Sequence, residues 1–276
     1  MLIFVYIKKI IVMEFLNLNQ IGQSCPSALT QSPSSHLSHI YKFIPTTEVI
    51  DILGEQGWLP TQAVQTRTRK GHESKSPYKK HMLRFRNENN NDISKIIGDT
   101  HPEILLTNSH DGSSSFKFHV GLFRLVCSNG LVIADQTFDE FRVMHKGFQK
   151  EDILKVVEMS TEKIPMVVGR VQDMMSKELN ASQQYDFAKR VADTRWGEDK
   201  MIDVNQMLKI RREEDAGNDL WSVFNRVQEN LLQGGILTIT PKDNGKVRRS
   251  RSRAIRSIDK NLEVNKMLWS LSESIL

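Results

Sequence analysis

The spacing of apolar residues changes once along this chain of 276 residues, near Gln149, and that change limits the fold more than any motif. Strand side chains alternate between two faces, whereas an amphipathic helix repeats its apolar positions at i, i+3, i+4 and i+7. Before Gln149 the alternating pattern dominates. In "YKKHMLRFRN" His81, Leu83 and Phe85 share one face, and Met82, Arg84 and Arg86 share the other. "WLPTQAVQTRTRK" precedes it as a partner strand across the turn-like "GHESKSP". "EILLTNSH" reads as a strand, "DGSSS" as a turn, and "FKFHVGLFRLVCSNGLVIAD" as a strand pair closed at Asn129-Gly130, a strong hairpin signal. "EFRVMHKG" is the last strand of the group. After Gln149 the helical period takes over. A long helix with a kink near Pro165 is predicted, then a helix over "SQQYDFAKRVADTRW" capped by Ser182 and a short one over "DVNQMLKIRREED". "NDLWSVFNRVQENLLQGG" follows as a helix stopped at Gly234-Gly235, then a short strand with an arginine-rich segment, and a terminal helix.

Strands first and helices second predict an α+β fold, an antiparallel β-meander in the N-terminal half packed by a helical C-terminal half. The expected organisation is one co-folded domain over 24–276, with a β-rich part at 24–149 and a helical part at 150–276. Residues 24–39, "SCPSALTQSPSSHLSH", read as a flexible lead-in, and "YKFIP" as a short strand before a helix capped by Thr46 or Thr47. Residues 1–23 are expected to be a poorly ordered or mis-annotated extension. Their apolar start, "MLIFVYIKKIIVM", is broken by Lys8 and Lys9 and falls short of the roughly 18 residues that cross a bilayer. It also lacks the layout of a signal peptide. An upstream start codon, with a natural beginning at Met13, is the expectation, and no stable membrane insertion is predicted. Two cysteines, Cys25 and Cys127, give no disulfide framework and fit a reducing cytoplasm.

The net charge of +5 is unevenly distributed. Between Arg67 and Arg86 eight cations face one acid, Glu73, and between Lys246 and Arg256 six cations face none. Cationic clusters on an otherwise acidic body mark a polyanion binder. The predicted nucleic-acid contacts are Arg67, Arg69, Lys79, Lys80, Arg84 and Arg86 on the strand pair. Arg248, Arg249, Arg251 and Arg253 complete the set on the C-terminal segment.

A second candidate is the polar stretch containing Asn108, His110 and Asp111. Its side chains suit a turn, in which Asn and Asp bond nearby backbone and Gly112 adopts positive φ. A nucleophilic Cys127 needs a histidine within reach, but His119 lies eight residues away on the same strand, about 26 Å at about 3.3 Å per residue. Adjacent strand residues such as His110 and Asp111 point apart, and Asp135, Asp139 and Glu140 are the acids available from a neighbouring strand. No HxH, CxxC or HExxH spacing occurs, and no Walker, GxGxxG or GxSxG loop. No catalytic residue, metal or cofactor is therefore assigned.

Five stretches in order carry a family resemblance: "YKFIPTTEVIDILGEQGWLPTQAVQTRTR", "KKHMLRFR", "PEILLTNSHDGSSSFKFHVGLFRLVCSNGLVI", "WSVFNRVQENLLQGG" and "RSRAIRSIDKNLEVNKMLWSLSE". Over roughly residues 24–275 the chain resembles the phage/plasmid-like proteins called domain of unknown function 932. That resemblance implies a bacterial cytoplasm and a mobile genetic element, and it carries no reaction. The expected function is an accessory protein of such an element that binds or anneals single-stranded DNA, with a ring or filament homo-oligomer as its assembly. The order of strand meander and long helix is similar, at fold level only, to single-strand annealing proteins. The alternatives are a protein that counteracts host defence by binding one of its complexes, and a metal-dependent nuclease using His110 and Asp111.

Overall fold

The computed structural model describes residues 15–89, 100–124, 130–132, 142–143, 149–242 and 246–276. Its N-terminal half is an antiparallel sheet and its C-terminal half is mainly helical, the α+β architecture read from the periodicity. Cys127, Asn129, Asp135, Asp139 and Glu140 lie outside the described residues.

Helix α1, Leu18–Ser24, begins with a reciprocal cap in which the Asn17 and Gln20 side chains each bond the other's backbone N–H. Ile21, Cys25 and Ala28, spaced four and three residues apart, are fully buried. The expected flexible lead-in is thus packed from α1 onward, because these three small or apolar side chains share one core-facing line. Burial pushes the Cys25 thiol up to about 11, which leaves it a small hydrophobe at neutral pH. "YKFIP" forms no strand, and α2, Thr46–Glu55, starts at Thr46 itself with Pro45 as its cap residue.

Strands β1 (Trp58–Gln65), β2 (His81–Asn87), β3 (Thr100–Asn108) and β4 (Phe116–Arg124) pair antiparallel in that order. On the far edge β4 pairs with β5 (Gly130–Val132) and with β6 (Arg142–Val143). Every residue of β3 is buried, so this strand is covered on both faces. Leu83, Phe85, Ile104, Leu106, Phe116 and Phe118 face the main core with α2. On the opposite face Leu105 packs with Val64 and Met82 against Ile258 and Leu262 of the terminal helix, α6 (Ile258–Glu273).

Helix α3, Lys150–Ser176, runs unbroken through Pro165. The proline frees the carbonyl of Thr161, and both residues are exposed, so that carbonyl is not shut away from solvent. Helix α4, Ala181–Trp196, is capped by Asn180 rather than Ser182, in a reciprocal box with Gln183. "DVNQMLKIRREED" forms two short 3-10 turns, Val204–Gln206 and Glu213–Asp215, instead of an α-helix. Helix α5, Leu220–Gln233, starts at Asp219, whose carboxylate accepts from the Ser222 N–H. A small sheet follows in the order β7 (Met201–Ile202), β8 (Leu237–Pro241) and β9 (Val247–Arg251). Gly234 ends α5 at φ 73°, and a Cβ there would lie 2.6 Å from the Arg253 carbonyl carbon, so glycine lets the chain leaving β9 pass the helix end. No helix among the described residues is long and apolar enough to cross a membrane.

The stretch holding Asn108 and His110 acts as an internal brace. The Lys79 carbonyl accepts from His81 Nδ1 at 3.0 Å, which leaves Nε2 to accept from the Thr46 hydroxyl at 2.9 Å. Thr46 in turn accepts from the Asn108 amide at 3.2 Å. The His110 ring lies 5.1 Å from that of His81 and 4.8 Å from that of Phe43. The cluster ties α2, β2 and β3 to the leading segment, and Asn108 and His110 are fully buried. Asp111 accepts from the Ser113 N–H at 3.0 Å beside Gly112 at φ 74°, the turn arrangement its sequence suggested.

Burial holds His81 down to about 4 from its ordinary 6.5. The unfolded chain therefore binds one more proton than the folded one between those values, and this contribution to stability is complete above pH 6.5 and is lost as pH falls toward 4. Urea titrations across that window are expected to show the wild type losing about 1.4 kcal/mol per pH unit more than His81→Gln. Parallel pH profiles of the two proteins would refute the assignment.

Candidate nucleic-acid interface

The structure sorts the predicted cationic residues into three groups. Arg84 and Arg86 lie on one face of β2, as the alternation required, but that face is covered, and they are only 2% and 8% exposed. Both converge on Glu103 of β3, which is 1% exposed. The pairing of Phe85 with Ile104 sets Arg86 opposite Glu103, and Arg84 reaches the same carboxylate from the diagonal position. Arg84 Nε donates to Glu103 Oε2 at 2.6 Å, Arg84 Nη1 to Gln62 Oε1 at 3.0 Å, and Arg86 Nη2 to Glu103 Oε1 at 2.9 Å. The Thr61 hydroxyl adds a bond to Oε1 at 3.2 Å. Gly121 of β4 stands beside Glu103 and adds no side chain. The expected open arginine strip on β2 is thus an internal ion cluster, and Arg84 and Arg86 present no solvent face to a phosphate chain.

Lys79 and Lys80 form the second group. Both are half-buried, and Lys80 forms an ion pair with Asp259 in the first turn of α6. That contact joins the first basic segment to the helix that follows the second. The two segments meet in a crevice of about 160 Å³, walled by Arg84 and Met82 of β2 on one side and by Arg256 and Ile258 on the other.

The third group is exposed. Arg67 and Arg69 sit in the connection after β1, and Arg248, Arg249, Arg251 and Arg253 sit on β9 and just beyond it. β9 is an edge strand, and all five of its residues are exposed. Ser250 bonds Thr238 on one face, which puts Arg248 on that side and Arg249 and Arg251 on the other. Arg251 Nη1 donates to the Gly235 carbonyl at 2.8 Å, which steadies it. No ion pair among the described residues engages Arg248, Arg249, Arg251, Arg253 or Arg256. The strand is fixed at its base, where the Ile255 N–H donates to the Leu232 carbonyl at 2.9 Å, the Gly235 N–H to the Ser252 carbonyl at 2.8 Å and the Ser252 N–H to the Ile236 carbonyl at 2.9 Å.

Asn108 and His110 are enclosed in the brace and meet no solvent, and among the described residues no group of three or more His, Cys, Asp or Glu converges on a point. Sequence reasoning missed Glu103. Its signal was an acid inside an apolar strand, next to a strand with two arginines at matching parity. Glu103→Gln is expected to cost about 3–5 kcal/mol in chemical denaturation, since it leaves buried guanidiniums without their carboxylate. Lys80→Ala is expected to cost less than about 1 kcal/mol, because its partner Asp259 is largely exposed. Equal costs for the two substitutions would mean that the buried cluster does not hold the sheet.

No solved structure matches the chain. Two proteins of Escherichia coli (strain K12) do match along most of their length. It is 38% identical to UPF0380 protein YafZ over 256 residues, spanning 91% of this chain and 88% of that protein. It is 37% identical to UPF0380 protein YfjQ over the same shares. The family described as Domain of unknown function (DUF932) matches residues 33–269, which takes in the sheet, the buried ion cluster and the arginine strand. The family match bears out the five-motif resemblance: this chain belongs to the DUF932 family.

Proposed function

We propose that this protein binds nucleic acid, single-stranded DNA by preference, through the arginines of β9 and the segment that follows it. One observation carries the reading: Arg248, Arg249, Arg251 and Arg253 stand exposed on an edge strand in a stretch from 246 to 256 that contains no acid. Several other cations meet carboxylates, as at Glu103 and Asp259. A run of arginines left in water and held by a fixed strand suits a phosphate backbone, which supplies a linear array of negative charge. Arg67 and Arg69 extend the exposed basic surface. The preference for a single strand rests on the crevice lined by Ile255 and Ile258, which offers room for an unstacked base that a duplex would keep paired. In this reading the protein serves a mobile genetic element in a bacterial cytoplasm, as an annealing or strand-protecting accessory protein that works as a homo-oligomer.

Fluorescence anisotropy with labelled single-stranded and duplex DNA across a salt series tests this. Wild type is expected to prefer the single strand and to lose affinity steeply with salt. Arg249→Glu with Arg251→Glu should reduce affinity by at least about tenfold and flatten the salt slope while the melting temperature stays within a few degrees. Arg67→Glu with Arg69→Glu should have a smaller effect. Cleavage of the DNA in the presence of magnesium would replace this reading with a nuclease, and absence of binding at low salt would remove it.

A further inference from the structure

We infer that the crevice between the sheet and the start of α6 receives one unstacked pyrimidine base of the strand held on β9, an inference that rests on the nucleic-acid reading above. The crevice has a volume of about 160 Å³. That is below the roughly 300–1,000 Å³ of sites for drug-sized molecules. It is close to the roughly 150 Å³ that encloses a single benzene ring. One six-membered ring is therefore the appropriate occupant.

The walls suit a flat aromatic ring. Val64, Met82 and Leu105 contribute apolar surface from the sheet side, and Ile255 and Ile258 from the opposite side. The polar groups on the lining are donors. Gln62 spends its amide oxygen on Arg84, and Asn261 spends its own on Asn265, so each has its NH₂ group left to offer. Arg256 adds guanidinium N–H groups, while Arg84 stays engaged with Glu103 and Gln62. A donor-rich lining around an apolar slot selects a ring that carries acceptors, and pyrimidines offer O2 together with N3 or O4. A bare phosphate fits less well, because the apolar walls would strip its water without replacing it.

The position agrees with the chemistry. The arginine strand, the segment carrying Arg253 and Arg256 and the first turn of α6 are one continuous stretch of chain. In this proposal the bound backbone follows the chain from β9 through Arg253 to the crevice, whose lining includes Arg256 and the exposed Ser257, a residue that makes no side-chain bond to the helix it starts. Phosphates contact the ribbon, and one base turns inward.

The test compares the full chain on labelled oligothymidylate and on a strand of equal length made of abasic sites, which keeps the phosphates and removes the bases. Oligothymidylate is expected to bind about fivefold or more tightly, the effect of one well-stacked base. That ratio should hold across the salt series while both affinities fall, since the base contributes no counterion release. Ser257→Leu narrows the mouth without charge or ring, and Asn261→Ala removes a donor. Each should bring the ratio close to one and leave the affinity for the abasic strand unchanged. If Asn261→Ala fails to fold, Ser257→Leu decides alone. Equal binding of the two strands by wild type would refute the crevice and leave the ribbon standing, as would a ratio that survives both substitutions. Absence of binding to either strand would refute the nucleic-acid reading and the crevice with it.

Discussion

A single carboxylate in the middle of β3 sets the terms on which the sheet forms. Removing Glu103 and its two guanidinium partners from water carries a large desolvation cost, offset only when geometry and hydrogen bonding are nearly complete. Here the carboxylate takes bonds from Arg84, Arg86 and Thr61, and Gln62 takes a further N–H from Arg84, so three neighbouring strands must be in register before the cluster is satisfied. A slip of one residue in β2 would turn Phe85 outward and drive both arginines into the apolar core. The cluster therefore specifies the pairing of β1, β2 and β3 as much as it stabilises it. With that pairing fixed, the second face of the sheet acquires the shape on which α6 rests.

The chain has two stretches that look alike by composition and meet opposite fates. Between Arg67 and Arg86 the cations are divided among solvent, an exposed ion pair and a buried cluster. On β9 they are left in water. Charge count does not distinguish the two cases, and what does is the cover: α6 lies over the Arg84 face of the large sheet, whereas β9 ends a sheet of three strands with no neighbour among the described residues on its outer edge. Edge strands rich in arginine resist pairing with other strands, so the same side chains that offer a surface to a polyanion also keep the edge from aggregating.

Much of the architecture was legible in residue spacing. The switch from period two to period 3.6 at Gln149 separates the large sheet from the helices, and the alternation in "HMLRFR" places Arg84 and Arg86 on one face. What alternation cannot give is which face is wet. The residues that cover it, Ile258 and Leu262, are at the other end of the sequence, and no local pattern links them to β2. The same distance hid the brace, where Thr46, His81 and Asn108 come together from three elements. Local composition also says little about continuity and anchorage. The helix continues through Pro165 on an exposed face, and Ile21, Cys25 and Ala28 anchor the chain at the entry to a stretch dominated by serine and proline.

The route of α6 bears on how the protein comes into being. The strands that carry Val64, Met82 and Leu105 leave the ribosome well before Ile258 and Leu262, which cover them from far along the sequence. In that interval one face of the sheet awaits a helix that does not yet exist. Domains generally fold as units during synthesis, and surface left open in the meantime invites association with the wrong partner. An apolar patch shared with charged Arg84 and Arg86 is a poorer target for such association than a uniformly greasy face. The mixed chemistry of that layer thus gives the nascent chain a measure of solubility until α6 covers it.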